Sequence, residues 1–142
     1  IIKDVLISTM IEKPEHQAVR YLYGLGVDLN IKGFKFFKTN WLLRDNQRLN
    51  GTTYQLTLAW NRPFTVADTK WVIEGFADFA GAEGTTTSHQ LIVPRFLLDV
   101  GDLTGHESGQ LYAGIEWSYW HNKFGVDGVT ESAPQLQIKW QF

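Results

Sequence analysis

The stretch that decides the fold is residues 109–142, GQLYAGIEWSYWHNKFGVDGVTESAPQLQIKWQF. It closes on Leu136, Ile138, Trp140 and Phe142, interleaved with Gln135, Gln137, Lys139 and Gln141. A helix would bring its apolar residues back every three or four positions. Strict alternation belongs to a strand whose two faces meet different surroundings. Terminal residues of soluble chains are usually frayed and wet. The last strand of an outer-membrane-type barrel, by contrast, completes a wall with its apolar face in lipid. The stretch therefore predicts an all-β fold, an antiparallel transmembrane β-barrel with its apolar parity outward and its charged parity inward.

The same alternation runs back through the chain. Residues 3–12 set Val5, Ile7, Thr9 and Ile11 against Asp4, Ser8 and Glu12, with Leu6 and Met10 blurring the register. A turn at 13–16 follows, because Pro14 removes a ladder donor and fixes its own φ. In 19–30, Val19, Tyr21, Tyr23, Leu25, Val27 and Leu29 oppose Arg20, Gly24, Gly26, Asp28 and Asn30, with Leu22 the exception. The two glycines on that polar face predict room for a pore filling or ligand. In 34–44, Phe37, Thr39, Trp41 and Leu43 point outward, and Lys38, Asn40 and Arg44 inward. Phe34 and Phe36 share the inward parity, which implies either a bulge at 36–37 or an aromatic lining.

Further strands are expected at 52–60, 70–81, 89–100, 110–120 and the terminal run, giving eight in all and no helix-period segment. Pro63 places the return between the fourth and fifth strands at 61–69. Trp41, Trp60, Trp71, Trp117 and Trp140 fall on the outward parity near strand ends, where an aromatic girdle would lie, and Phe142 joins them as a membrane-facing aromatic.

Composition narrows the function classes. The chain has 142 residues, one domain's worth, and no apolar run near the ~20 residues of a spanning helix. Its mean hydropathy of -0.19 suits a soluble β-domain, while 14% aromatics with six Trp suit a membrane interface. A formal charge of -2 gives nucleic acid no electrostatic footprint. Cysteine is absent, so thiolate metal sites, cysteine nucleophiles and disulfides are excluded. The start, Ile1-Ile2-Lys3-Asp4, reads as mature or truncated material without a signal peptide.

The inward parity gathers Asp28, Glu74, Asp78, Asp99 and Glu116 against Arg20, Lys38, Arg44, Arg95 and Lys139. Charges inside a narrow barrel must pair or stay hydrated. Two arrangements meet that condition: an ion-pair network that fills the interior, or a hydrated lumen whose charges and aromatics select a solute. His16, His89, His106 and His121 fall in or beside turns and read as exposed loop histidines, none paired at metal-ligand spacing. His106-Glu107-Ser108 has hydrolase residue types, but adjacent residues on a strand or turn diverge. No catalytic residue, metal or cofactor is expected, and the chain does not read as an enzyme.

GIEWSYWHNKFG with PQLQIKWQF, YLYGLGVDLNIKGFKFF (21–37), WVIEGFADF (71–79) and VPRFLLDVG (93–101) together resemble, in order, the Tsx/OmpK-type nucleoside-specific channels of the bacterial outer membrane. The resemblance covers nearly the whole chain and implies the C-terminal two-thirds of a twelve-stranded barrel, the first strands having no counterpart. It implies a Gram-negative outer-membrane channel for passive diffusion of nucleosides or similar small solutes. A nucleoside needs an aromatic face for its base and polar groups for its hydroxyls. Phe76, Tyr112, Trp120 and Phe34 or Phe36 are then stacking candidates. Asp28, Asn40, Glu74, Asp78, Arg95 and Glu116 are hydrogen-bonding candidates, and Lys38, Arg44 and Asp99 complete the expected lumen set.

Expected partners are outer-membrane lipid, the solute, and the barrel-assembly machinery through the C-terminal strand; nucleic acid is not one. Loops at 13–16, 45–51, 80–87 and 121–131 would be extracellular, where phages or colicins attach to proteins of this kind. The alternative is a small closed eight-stranded barrel with a side-chain-filled interior, acting as adhesin, lipid-modifying enzyme or structural protein. A soluble lipocalin-like binder would need an apolar interior, which the inward charges oppose.

Overall fold

The computed structural model describes residues 1–13 and 18–142. The turn expected at 13–16, with Pro14 and His16, falls largely outside the described residues. Eight strands follow in chain order: β1 (Ile2–Glu12), β2 (Arg20–Leu29), β3 (Phe36–Asn46), β4 (Thr53–Val66), β5 (Thr69–Ala80), β6 (His89–Asp99), β7 (Leu111–His121) and β8 (Glu131–Trp140). A four-residue helix, α1 (Val100–Leu103), and a 3₁₀ turn, Lys123–Gly125, lie in the connections. No helix of the described residues is long and apolar enough to cross a membrane, which says nothing of strands. Each strand pairs antiparallel with the next in one sheet, ordered β1 to β8.

The sheet does not close into a barrel, because β1 and β8 are not hydrogen-bonded to each other. Eight strands alone thus do not form the closed barrel given as the alternative. The sheet is nevertheless strongly curved. Leu97 on β6 and Leu22 on β2 are 0% and 1% exposed, a burial that one face of a flat single sheet could not provide. Lys139 on β8 also reaches Glu74 on β5 at 2.8 and 2.9 Å, a chord across the two intervening strands.

Glycine is where the bend is made. A Cβ on Gly24 would stand 1.9 Å from the Trp41 carbonyl oxygen, and one on Gly114 2.0 Å from that of Phe96. Bare backbone there lets adjacent strands coil toward each other on the inner side. The expectation that Gly24 makes room for a pore filling is therefore corrected: the neighbouring strand itself occupies the space.

Two boundaries differ from expectation. β4 does not end at Trp60; it runs to Val66, with Pro63 opposite Val72. The β3 ladder stops at Phe36 opposite Asn61, so β4 continues past it as an edge, the setting in which a strand proline is tolerated. The return is a two-residue turn, Ala67 and Asp68, with φ of 47° and 61°. Positive φ at both central residues matches the turn's twist to that of the strands. The bulge considered at 36–37 is absent, since β3 keeps one register against β2 and β4 throughout. Phe36 keeps the concave parity at the strand's end. Phe34 instead packs edge-on against Phe37 at 5.6 Å, with the Arg62 guanidinium 5.6 Å from its ring.

Register places the two residue classes on opposite faces. The convex face carries Ile7, Leu25, Trp41, Tyr54, Ile73, Phe96, Ile115, Trp117, Leu136, Ile138 and Trp140, all exposed. Leu136 is 91% exposed and Ile138 77%. The concave face carries most of the strand charges, with Asp45 and Arg62 on the convex parity toward strand ends.

Candidate functional site

All twelve residues expected to line a lumen lie on the concave face. The pairs Asp28↔Lys38, Glu74↔Arg95↔Glu116 and Asp99↔Tyr112 are register partners, and Asn40, Arg44, Phe76, Asp78 and Trp120 stand in phase with them. They do not form one site. They divide into three tiers along the strands.

At the end that carries the β2–β3, β4–β5 and β6–β7 connections, Asp28 and Lys38 pair at 3.4 Å. Asp99 has a different task from the one expected of it. Its buried carboxylate accepts hydrogen bonds from Asp102 N–H at 3.0 Å, Gly109 N–H at 2.8 Å and the Ser108 hydroxyl at 2.9 Å. It caps α1 and holds the β6–β7 connection. Lys70 closes the same turn by pairing with Asp102 at 2.7 Å.

The middle tier is a connected network. The buried Glu74 carboxylate accepts from both the Lys139 ammonium and the Asn61 amide, the latter at 2.8 Å, and lies 3.7 Å from the Arg95 guanidinium. Arg95 turns its Nε to Glu116. Lys139 lies 5.7 Å from the Tyr112 ring centre, cation over aromatic face. One buried carboxylate shared by two cations and an amide is fully satisfied, and such a network rigidifies the face that carries it. Leu22, Leu42, Val72, Val93 and Leu97 share the concave parity and are buried. The face is therefore not uniformly polar: Leu22 is no stray exception but one of a set that sequence alternation did not reveal. Phe76, half-buried between Ala59 and Val93, makes no ring contact among the described residues.

The third tier lies at the opposite end, under the β3–β4, β5–β6 and β7–β8 connections. A cavity of about 400 Å³ is lined by Arg20, Arg44, Asn46, His89, Trp120 and Phe124, with Leu49 and Thr86. Three connections are tied together around it. Asn46 N–H donates to the Glu83 carboxylate at 2.8 Å, Thr87 N–H to the Gly125 carbonyl at 2.9 Å, and the Asn122 amide to the Ser88 carbonyl at 2.9 Å. A smaller cavity of about 140 Å³ shares Arg20, Arg44, His89 and Trp120 and adds Glu12 and Asp78. Arg20 pairs with Glu12 at 3.6 Å, and Thr57 donates its hydroxyl to Asp78 at 2.5 Å.

Sequence reasoning missed Asn46, Asn61, His89 and Phe124. His89 is the correction here: it is half-buried and faces the concave side, opposite Ala80, instead of hanging in an exposed loop. Its parity, shared with Arg95 and Asp99, was the available signal. Asn61 was lost when the strand was ended at Trp60. Phe124, in a loop without alternation, gave no signal. No cluster of three or more His, Cys, Asp or Glu able to hold a metal occurs among the described residues. Compared with known proteins, the chain matches no family model, no curated protein and no solved structure.

Proposed function

We propose that the chain forms the wall of an outer-membrane β-barrel, completed by further strands at the β1 and β8 edges, through which nucleosides or similar small polar solutes diffuse. One observation carries the reading: a single curved sheet of eight strands turns its apolar residues outward along its length and keeps most of its strand charges on the inside. A soluble protein covers such a face with another layer, and an uncovered apolar surface of this extent marks an interaction surface. Lipid is the partner that fits a convex, continuous, apolar face. Closure also accounts for the two unpaired edges, because the hydrocarbon region tolerates no open strand edge. The unpaired edge of β8 is where assembly machinery would engage the chain.

Inside, the satisfied Glu74 network and the buried Leu22, Leu42 and Leu97 act as a fixed constriction. Phe76, Asn40 and Tyr112 are the groups left to meet a passing solute. Weak contacts suit passage, because a solute bound too tightly does not leave. No reaction and no energy source are required.

The test is solute flux through the native protein reconstituted in lipid vesicles. Nucleoside entry should exceed that of a disaccharide of similar size. Phe76→Ala should change the rate while leaving detergent-solubilised folding intact. Vesicles that stay impermeable, or flux indifferent to the Phe76 substitution, would overturn the lumen assignment.

A further inference from the structure

We propose that the cavity under the β3–β4, β5–β6 and β7–β8 connections is a binding site for a small oxyanion, a carboxylate or phosphate ester carried on a flat ring. The inference stands on the cavity itself and goes beyond the channel reading. At about 400 Å³ the space lies within the ~300–1,000 Å³ of small-molecule sites. Its described walls present two guanidinium groups, an imidazole and an indole, and no carboxylate. Of the acidic groups nearby, Glu12 and Asp78 line the adjoining cavity, which shares Arg20, Arg44, His89 and Trp120. There Glu12 pairs with Arg20 at 3.6 Å and Asp78 takes the Thr57 hydroxyl, while Glu83 is bonded to Asn46 N–H.

The donors are also short of acceptors. Arg44 is 6% exposed and its Nε is buried with no hydrogen-bond partner; the same holds for Trp120 Nε1 and His89 Nδ1. Orphaned buried polar atoms are rare in folded proteins because each forfeits its hydration without return. Two of them, Arg44 Nε and Trp120 Nε1, are obligate donors and call for a ligand that brings oxygen acceptors. Arg and Trp can only donate, so that ligand is an acceptor, and beside two guanidinium groups an anionic one is favoured. The His89 nitrogen accepts in one tautomer and donates in the other, so it suits either an oxyanion or a neighbouring hydroxyl.

The ring half of the ligand follows from Phe124. Its φ of 59° is in the left-handed region, where a bulky side chain is strained. The connection holds it there through Gly125 N–H to Asn122 O at 2.8 Å and Val126 N–H to Lys123 O at 3.2 Å. Strain of this kind collects at ligand sites. It sets the Phe124 ring edge-on to Trp120 at 4.7 Å, giving the cavity an aromatic corner on which a flat ring can stack.

Calorimetric titration of the native full-length protein in detergent tests this with two matched pairs, phenyl phosphate against phenol and benzoate against benzyl alcohol. Inorganic phosphate separates the contribution of the anion alone. At least one anion should bind about tenfold more tightly than its neutral partner, the size of one charge-assisted hydrogen bond. Arg44→Met should abolish that preference. Trp120→Phe, which keeps the ring and loses the N–H, should weaken anion binding by a smaller factor. Equal affinity for anion and neutral partner would overturn the proposal. If Arg44→Met fails to fold, Trp120→Phe decides: undiminished anion affinity in that variant would place the site elsewhere. Binding in detergent is read without any flux, so this result and that of the channel test are independent.

Discussion

The convex and concave faces are built from alternate residues of the same eight strands, yet they are held in opposite ways. The convex face has exposed apolar side chains with few polar contacts, such as Trp117 Nε1 to the Ser132 hydroxyl at 2.9 Å. The concave face buries a carboxylate, Glu74, between cations from two other strands. Backbone pairing is common to both; on the proposed reading, what separates them is the medium each faces. In water the arrangement is inside out: the apolar residues would leave an inner core, and exposing each large one forfeits ~1.5–3 kcal/mol. With hydrocarbon outside, the same pattern is the stable one.

Four substitutions break or sharpen that contrast. Ile115→Arg, at mid-strand on the convex face, should destabilise the protein in lipid by ~2–4 kcal/mol. On a water-facing surface the change would be within about 0.5 kcal/mol. Urea unfolding of the reconstituted protein separates the two. On the concave face, Glu74→Ala leaves Lys139, Arg95 and Asn61 without their shared acceptor. Its cost should be about 2–3 kcal/mol, below that of a fully buried pair because both cations are partly exposed. Gly114→Ala tests the bend that creates the two faces. Its methyl would press on the Phe96 carbonyl, and about 1–2 kcal/mol of overpacking should appear as a lower unfolding midpoint. Lys38→Met removes a half-exposed partner of Asp28 and should shift stability by less than about 1 kcal/mol. A larger loss would mean that this tier is as dry as the middle one.

The strands were legible because the convex face is apolar along its length, so period two survives even where Leu22, Leu42, Val72, Val93 and Leu97 stand on the concave parity. Trp41, Trp60, Trp71, Trp117 and Trp140 all stand on the face parity assigned them, but Trp41, Trp60 and Trp117 sit in mid-strand and not at the strand ends where a girdle was expected. Three things were not legible, each for a physical reason. Pro63 reads as a breaker, and only the length of the neighbouring β3 makes it harmless. Gly24 and Gly114 mark curvature, a property of two strands together that one strand's sequence does not carry. The cavity at Arg44, His89 and Trp120 unites β2, β3, β6 and β7 with three connections. Residues so far apart in the chain meet only once the sheet has bent. Alternation told which face each residue takes, and not which residues of that face would be spent on the structure itself, as Asp99 is on its turn.

The most direct test of the two-faced account uses the absence of native cysteine. Single cysteines at Leu111, Ala113, Ile115 and Trp117, and at Glu116 and Ser118, would carry a fluorophore in the native protein reconstituted in vesicles. The account expects the first four to be quenched by a nitroxide buried in the lipid, and the last two by a water-soluble quencher alone. Quenching from water at all six positions, or no alternation along β7, would contradict it.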